Sequence, residues 1–155
     1  MHKMFNVGVM FVGLTATFIG HRDCYGVSEE MIKKNITALI EKGYDKFLNG
    51  SMGAFDRLCS KCVFDIKCIY PHIKNIVVIP YLSFKIECIE YFDDIVYPDG
   101  FEKYYFKSAI IKRNEYLVDK SDAAICFVEH SWGGAAKTFA YANKRKSITI
   151  INLAK

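Results

Sequence analysis

Three turns of this sequence combine glycine with polar side chains that can bind phosphate groups. They are Gly20-His21-Arg22, the segment Gly50-Ser51-Met52-Gly53 and the pair Gly133-Gly134. A glycine lets a backbone or a ligand approach closely because it has no Cβ. A helix that begins at such a turn adds free N–H groups and a positive dipole end. We therefore expect the three turns to form one site for a phosphate-bearing ligand.

Arg22 and His21 are the candidate side chains of the first turn. The planar guanidinium of Arg22 matches a phosphate with paired hydrogen bonds, and a neutral His21 can donate or accept one. The alternative is a surface loop in which Arg22 pairs with Asp23. The position of the turn directly after an apolar run favours the ligand-binding interpretation.

The second turn offers its backbone N–H groups, the Ser51 hydroxyl and the Asp56 carboxylate beyond it. Asp56 could accept a hydrogen bond from a ribose hydroxyl. The alternative is an ordinary tight turn in which Asp56 is a first-turn carboxylate, because short glycine loops are common. The sequence leaves both interpretations open.

Lys137 and Thr138 follow the third turn and resemble the Lys-Thr pair of a P-loop. The full Gly-x-x-x-x-Gly-Lys-Thr spacing is absent, since Ala135 and Ala136 follow the glycine pair. Walker-type nucleotide hydrolysis is therefore not expected. An ammonium and a hydroxyl that contact a bound phosphate remain the expectation.

Arg113 falls on the apolar stripe of a predicted helix, with Asn114 beside it. A charge on such a stripe must be paired or reach a ligand, because burying it alone is costly. We expect both residues to contact the ligand. The alternative is a buried ion pair between Arg113 and either Asp119 or Asp122.

Short apolar runs alternate with segments of helical periodicity. The runs predict strands at 15–19, 44–48, 76–79, 123–128 and 148–151. The periodic segments predict helices between Ser28 and Gly43, and at 55–66, 102–119 and 134–144. This order predicts an α/β fold, in which a mainly parallel sheet of about five strands lies between two helical layers. All three glycine turns follow strands, so they share the edge where such sheets bind ligands.

The composition indicates one domain over residues 1–155, with residues 1–13 as a leader or N-terminal extension. A net charge of +4 fits a small phosphate-bearing ligand, so we do not expect nucleic acid as a partner. Aromatic residues are concentrated between Tyr81 and Tyr104, which favours a homo-oligomer, a dimer or higher. We expect no membrane span in this chain. We expect a cytoplasmic location.

The six cysteines are predicted to be free thiols, because Cys126 lies in a strand and Cys59 and Cys62 on a helical stripe. The Cys59-x-x-Cys62 pair has no second pair at ligand spacing, so no metal and no cofactor are expected.

Taken together, the motifs resemble those of the SLOG superfamily, the Rossmann-like group that includes the Smf/DprA and LOG proteins, and in particular its short bacterial branch. The motifs that carry the resemblance are Phe18-Ile19-Gly20-His21-Arg22, Gly50-Ser51-Met52-Gly53-Ala54-Phe55-Asp56, Val78-Ile79-Pro80-Tyr81-Leu82, Lys112-Arg113-Asn114, Val118-Asp119-x-Ser121-Asp122, Gly133-Gly134-Ala135-Ala136-Lys137-Thr138 and Ile151-Asn152-Leu153. They span nearly the whole chain from Thr15.

This resemblance implies a Rossmann-like three-layer domain that binds a small-molecule nucleotide or nucleotide derivative, in a sensing or sequestering role. One alternative is a LOG-like phosphoribohydrolase that cleaves an N-glycosidic bond with Glu129, Asp56 or Asp119. Tyr141 stands where LOG enzymes carry their Glu, which speaks against this hydrolase and favours a binding or sensing role. A second alternative is DprA-like binding of single-stranded DNA, which the modest charge disfavours.

Overall fold

A computed structural model describes residues 5–6, as backbone only, and residues 13–154. Most of the predicted leader, residues 1–13, lies outside the described residues. The strands are β1 (Phe5–Asn6), β2 (Leu14–Gly20), β3 (Tyr44–Asn49), β4 (Lys74–Val78), β5 (Asp94–Val96), β6 (Ala123–Phe127) and β7 (Thr149–Asn152). The helices are α1 (Glu29–Glu41), α2 (Ala54–Ile66), α3 (Phe106–Asp119) and α4 (Gly134–Asn143).

All of these strands are parallel and form one sheet in the order β1-β5-β4-β3-β2-β6-β7. From β2, near the middle of the sheet, the chain builds outwards through β3, β4 and β5, and then crosses back to β6 on the other side of β2. Strand order therefore reverses between β2 and β6, where Gly20 pairs with Phe127 at the carboxyl ends. Open α/β sheets bind ligands at such a switch point.

The helices cover both faces of the sheet because alternate strand residues point to opposite sides. Helices α1 and α2 pack on the face that carries Phe18 and Ile125, and α3 and α4 pack on the face of Ile19 and Cys126. Ser28 is the N-cap of α1, because its hydroxyl accepts a hydrogen bond from the Met31 N–H at 3.1 Å. None of the described helices is long and apolar enough to cross a membrane.

The predicted α/β fold with a parallel sheet between helical layers is confirmed, and the sheet contains two strands that the sequence analysis does not predict. Strand β5 lies in the aromatic segment between Tyr81 and Tyr104 and has three residues, too few to show an alternating pattern. Strand β1 lies within 1–13 and pairs with β5. Helix α3 begins at Phe106 rather than near Glu102, because residues 101–103 form a short 3-10 turn.

All six cysteines are free thiols in the structure. Cys59, Cys62 and Cys126 are fully buried, as their strand and helix-stripe positions predict. Burial raises the pKa of Cys126 to about 12, so its thiol stays protonated and packs as a small apolar group.

Candidate functional site

A crevice of about 440 Å³ lies at the switch point, between the carboxyl ends of β2 and β6. We call it the strand-end crevice. The first and third glycine turns meet there, as predicted, and α3 forms one wall through Ile110, Asn114 and Leu117. Nine of the predicted site residues line it: Gly20, His21, Arg22, Met52, Asp56, Asn114, Gly133, Gly134 and Thr138.

The glycines of the crevice have different roles. A Cβ on Gly133 or Gly134 would meet nothing within 4 Å, so this turn faces open space. A Cβ on Gly20 would lie 2.1 Å from the Phe55 ring. Gly20 is therefore needed for packing inside the protein, whereas the Gly133-Gly134 turn leaves room for a ligand.

Substituting these glycines separates the two roles. Gly20→Ala is expected to lower the free energy of unfolding by about 1–3 kcal/mol, because the new methyl group overlaps the Phe55 ring. Gly134→Ala adds the same methyl group in open space at the start of α4. It is expected to change the free energy of unfolding by less than about 0.5 kcal/mol. Urea unfolding followed by circular dichroism measures both. Equal stability of the two variants would contradict this assignment.

Three rings stack along the β2–β6 side of the crevice. The centroids of His21 and His130 are 3.7 Å apart, and those of His130 and Trp132 are 3.8 Å apart, with interplanar angles of 10° and 16°. His21 is buried at one end, whereas Trp132 is 69% exposed at the other. The stack therefore presents one face of an indole, held by the rings behind it, to solvent at the crevice mouth.

A hydrogen bond fixes the inner end of this stack. The His21 Nε2 atom accepts from the Glu129 N–H at 2.8 Å, which requires a neutral imidazole with its proton on Nδ1. Burial lowers the pKa of His21, His130 lowers it further, and Glu129 raises it. His21 thus joins the end of β2 to the loop after β6, a bond between residues 108 positions apart in the sequence.

His130 and Trp132 are absent from the predicted site residues, although they lie within the third turn region. The signal was available, because Trp132 is the sole tryptophan and directly precedes the open glycine pair. An aromatic ring beside a phosphate-binding turn is typical of sites that stack a base. The stacking itself could not be read from the sequence, since it requires His21 from another strand.

The second turn is held by its own side chains. The Asn49 side chain accepts from the Ser51 N–H at 2.6 Å and donates to the Asp56 carbonyl oxygen at 2.9 Å. The Met52 N–H donates to the Asp56 carboxylate at 3.0 Å. Two backbone N–H groups that the sequence analysis assigns to a phosphate therefore already have protein acceptors. Ser51 and Gly53 face a neighbouring hollow and not the strand-end crevice.

Arg113 is buried beneath this turn and only 1% exposed. Its guanidinium donates to the carbonyl oxygens of Gly50 and Val78, each at 2.8 Å, and to the Asn114 side chain at 3.0 Å. Gly50 permits this approach, since a Cβ there would lie 3.1 Å from the Arg113 Cζ atom. We therefore expect Arg113 to act on the crevice through the Gly50–Gly53 turn, because it holds the ends of β3 and β4 together.

The alternative ion pair between Arg113 and Asp119 or Asp122 is wrong. Asp119 accepts hydrogen bonds from Tyr141 and Arg145, and Asp122 accepts from the Thr15 N–H. Both carboxylates lie at the C-terminal end of α3 or just beyond it, more than one helical turn from Arg113. Tyr141, where LOG enzymes carry Glu, donates to Asp119 and does not line the crevice.

Among the three candidate carboxylates, Asp56 is the one that lines the crevice; Asp119 and Glu129 do not. Asp56 is 9% exposed, and burial raises its pKa to about 6. The Met52 N–H and the charge of Arg113 both act in the opposite direction. A carboxyl group with this pKa changes its charge near neutral pH inside the crevice.

Two cationic side chains of the predicted site, Arg22 and Lys137, are exposed, unlike Arg113. Arg22 lines the crevice and forms no ion pair with Asp23 or with any other residue that the structure describes. Lys137 is exposed on α4 but does not line the crevice. The Thr138 hydroxyl donates to the Gly134 carbonyl oxygen at 3.0 Å and keeps its lone pairs free to accept. Arg22 is therefore the cation that the crevice offers to an anionic ligand.

Comparisons with known proteins add to this geometry. The family model YpsA, described as the YspA SLOG family, matches residues 16–152. A curated relative, the uncharacterized SPbeta prophage-derived protein YoqJ of Bacillus subtilis (strain 168), is 27% identical over 139 residues, which cover 76% of this chain and 77% of that protein.

Two solved structures of DNA processing protein A (DprA) are similar in fold, each with 17% sequence identity and 88% of this chain covered. The Helicobacter pylori protein, described for its single-stranded DNA binding mode, gives a TM-score of 0.63. The Streptococcus pneumoniae protein gives a TM-score of 0.64. This chain spans 64% and 50% of those two chains, respectively.

From the sequence, we expect a small-molecule nucleotide as the partner and do not expect nucleic acid. These structures overturn that expectation. Proteins that share the fold include one described for binding single-stranded DNA. The error came from the use of net charge, because +4 describes the whole surface. Binding of a strand depends on the charge and the aromatic rings within one groove, which net charge does not report.

Proposed function

This chain belongs to the YpsA SLOG family, and from that premise we propose that it binds single-stranded DNA in the strand-end crevice. The resemblance of its motifs to the SLOG superfamily is confirmed by the family model. The proposal rests on one observation above all, which is that an exposed, stacked tryptophan lies directly beside the open glycine turn at the start of α4.

Base stacking is the first contribution that the crevice offers. Trp132 has one face against His130 and is otherwise largely exposed. Every base has a flat π-face, so stacking on an aromatic ring is sequence-tolerant and suits single strands, whose bases are unpaired. A strand whose base stacks on Trp132 would extend the existing ladder of His21 and His130.

Phosphate binding is the second contribution. The first backbone hydrogen bond of α4 runs from the Lys137 N–H to the Gly133 carbonyl oxygen, at 3.2 Å. The N–H groups of Gly134, Ala135 and Ala136 precede it, and no residue that the structure describes accepts from them. These donors and the dipole of α4 favour an anion at the turn. Arg22 adds an exposed positive charge at the same crevice.

The fold neighbours support the same function. DprA of H. pylori is described for its binding of single-stranded DNA, and 88% of this chain superposes on part of it. At 17% identity this likeness concerns the fold, so the choice of partner for this chain depends on the side chains of its own crevice.

Tryptophan fluorescence tests the proposal directly, because Trp132 is the sole tryptophan and its emission reports the crevice mouth. Oligothymidylate is expected to quench that emission as a base stacks on the indole. Trp132→Ala is expected to weaken binding by about 5- to 150-fold, which corresponds to about 1–3 kcal/mol of stacking free energy. Fluorescence anisotropy of labelled oligothymidylate measures the affinity of both proteins.

Tyr25→Ala provides the matched control, since Tyr25 is an aromatic residue that is 80% exposed and does not line the crevice. It is expected to bind DNA as the unsubstituted protein does. Two results would contradict the proposal: emission that does not change at saturating oligothymidylate, or equal affinity of the Trp132→Ala protein.

A further inference from the structure

A second hollow of about 440 Å³ lies beside the strand-end crevice, at the carboxyl end of β3 and the start of α2. Its walls include Ser51, Gly53, Arg57, Phe84 and Lys85. Arg22, Asp23 and Met52 line both the crevice and the second hollow. The two cavities therefore share a wall and form neighbouring parts of one edge of the sheet.

The shared wall is fixed by backbone contacts. The Ala54 N–H donates to the Arg22 carbonyl oxygen at 2.8 Å. A Cβ on Gly53 would lie 2.7 Å from the Arg22 Cα atom, so only glycine allows the two loops to approach this closely. The backbone of Arg22 is thus held at the boundary, while its exposed guanidinium can reach an anion in either cavity.

The charge of the second hollow is positive on balance. Three cationic side chains line it, those of Arg22, Arg57 and Lys85, against the carboxylates of Asp23 and Glu87. Arg57 is neutralised by Glu87, at 2.9 Å. Lys85 is exposed and forms no ion pair with any residue that the structure describes, so its ammonium is available to a phosphate.

Phe84 gives the hollow an aromatic wall. Its ring is half-buried, contacts Tyr81 edge to face at a centroid distance of 5.8 Å, and lies 5.6 Å from the Arg113 Cζ atom. These contacts hold the ring in place. A fixed aromatic ring next to cationic side chains is the combination that binds a nucleotide of a single strand.

We propose that the second hollow is a second nucleotide subsite, so that a single DNA strand continues from the strand-end crevice across Arg22 towards Phe84 and Lys85. This inference rests on the proposed function, because it requires the strand to enter the crevice first. It adds that the chain binds consecutive nucleotides along the sheet edge rather than one nucleotide alone.

Charge reversal at Lys85 tests the second subsite. Lys85→Glu is expected to weaken the binding of a twelve-nucleotide oligothymidylate by about tenfold or more and to reduce the slope of log affinity against log salt by about 0.7 or more, the value for one lost phosphate contact on a single strand. Quenching of Trp132 at saturating DNA is expected to be unchanged, because the crevice is still occupied. A two-nucleotide oligothymidylate is expected to occupy the crevice and not the second hollow. The affinity of the Lys85→Glu protein for it is therefore expected to change far less.

Lys42→Glu is the matched control. Lys42 is an exposed lysine at the C-terminal end of α1, at the opposite edge of the sheet, and its substitution changes the net charge equally. If Lys85→Glu and Lys42→Glu bind the long oligonucleotide alike while Trp132 is still quenched, the second subsite is wrong and the proposed function stands. If the unsubstituted protein gives neither quenching nor binding, the proposed function itself fails.

Discussion

Arg113→Ala is expected to lower the free energy of unfolding by about 3–5 kcal/mol, the largest effect that we expect from a single substitution in this chain. The substitution leaves the carbonyl oxygens of Gly50 and Val78 buried without a donor. It also removes the positive charge of Arg113, which lowers the pKa of Asp56 against the effect of burial. Thermal unfolding by calorimetry is expected to show a midpoint about 6–20 °C lower.

Two further variants show whether the guanidinium shape matters. Arg113→Lys keeps the charge but not the planar fork, so it is expected to recover only part of the lost stability. Arg145→Ala removes an exposed arginine that is paired with Asp119 and is expected to cost less than about 1 kcal/mol. A normal melting temperature for Arg113→Ala together with lost DNA binding would instead assign Arg113 to direct ligand contact.

Asp56→Asn is expected to stabilise the protein by about 3 kcal/mol at pH 8 and to have little effect at pH 4. The pKa of Asp56 is raised from 3.8 to about 6 in the folded chain, and each unit corresponds to about 1.4 kcal/mol. The carboxyl group of the folded protein therefore favours its protonated form. Its contribution to stability is fully present below pH 3.8 and is lost as pH rises through about 6.

Urea unfolding between pH 4 and pH 8 measures this dependence. The free energy of unfolding of Asp56→Asn is expected to exceed that of the wild type by an amount that grows from pH 4 to pH 8. The reason is that asparagine resembles the protonated acid and does not titrate. Asp23→Asn is the control, since Asp23 is an exposed carboxylate on the same crevice. Parallel stability curves for wild type and Asp56→Asn would show that Asp56 is ionised without cost.

The same titration affects ligand binding. An ionised Asp56 on the crevice wall repels a phosphate, and a neutral one does not. The affinity of the wild-type protein for oligothymidylate is therefore expected to rise as pH falls below about 6, and the Asp56→Asn protein is expected to lack this rise.

The alternation of apolar runs and helical periodicity was enough to predict the fold, because burial on both faces of a parallel strand leaves a local pattern. It was also enough to place the three glycine turns at one edge, since each turn follows a strand. Strand β5 was missed because three residues, Asp94–Val96, are too few to carry such a pattern.

What the sequence by itself determined is therefore the parallel α/β architecture, its helical layers and the edge at which Gly20, Gly133 and Gly134 meet. Only the tertiary structure decided which of these positions are open. Arg113 meets Gly50 across 63 residues, and His21 meets Glu129 across 108. The local hydrophobic pattern of the sequence indicates whether a side chain is buried. The hydrogen-bond partner of that side chain depends on how distant strands and helices pack together. For this reason the sequence identified Arg113 as buried and charged, and only the fold showed that its distant partners are the backbone carbonyl oxygens of Gly50 and Val78.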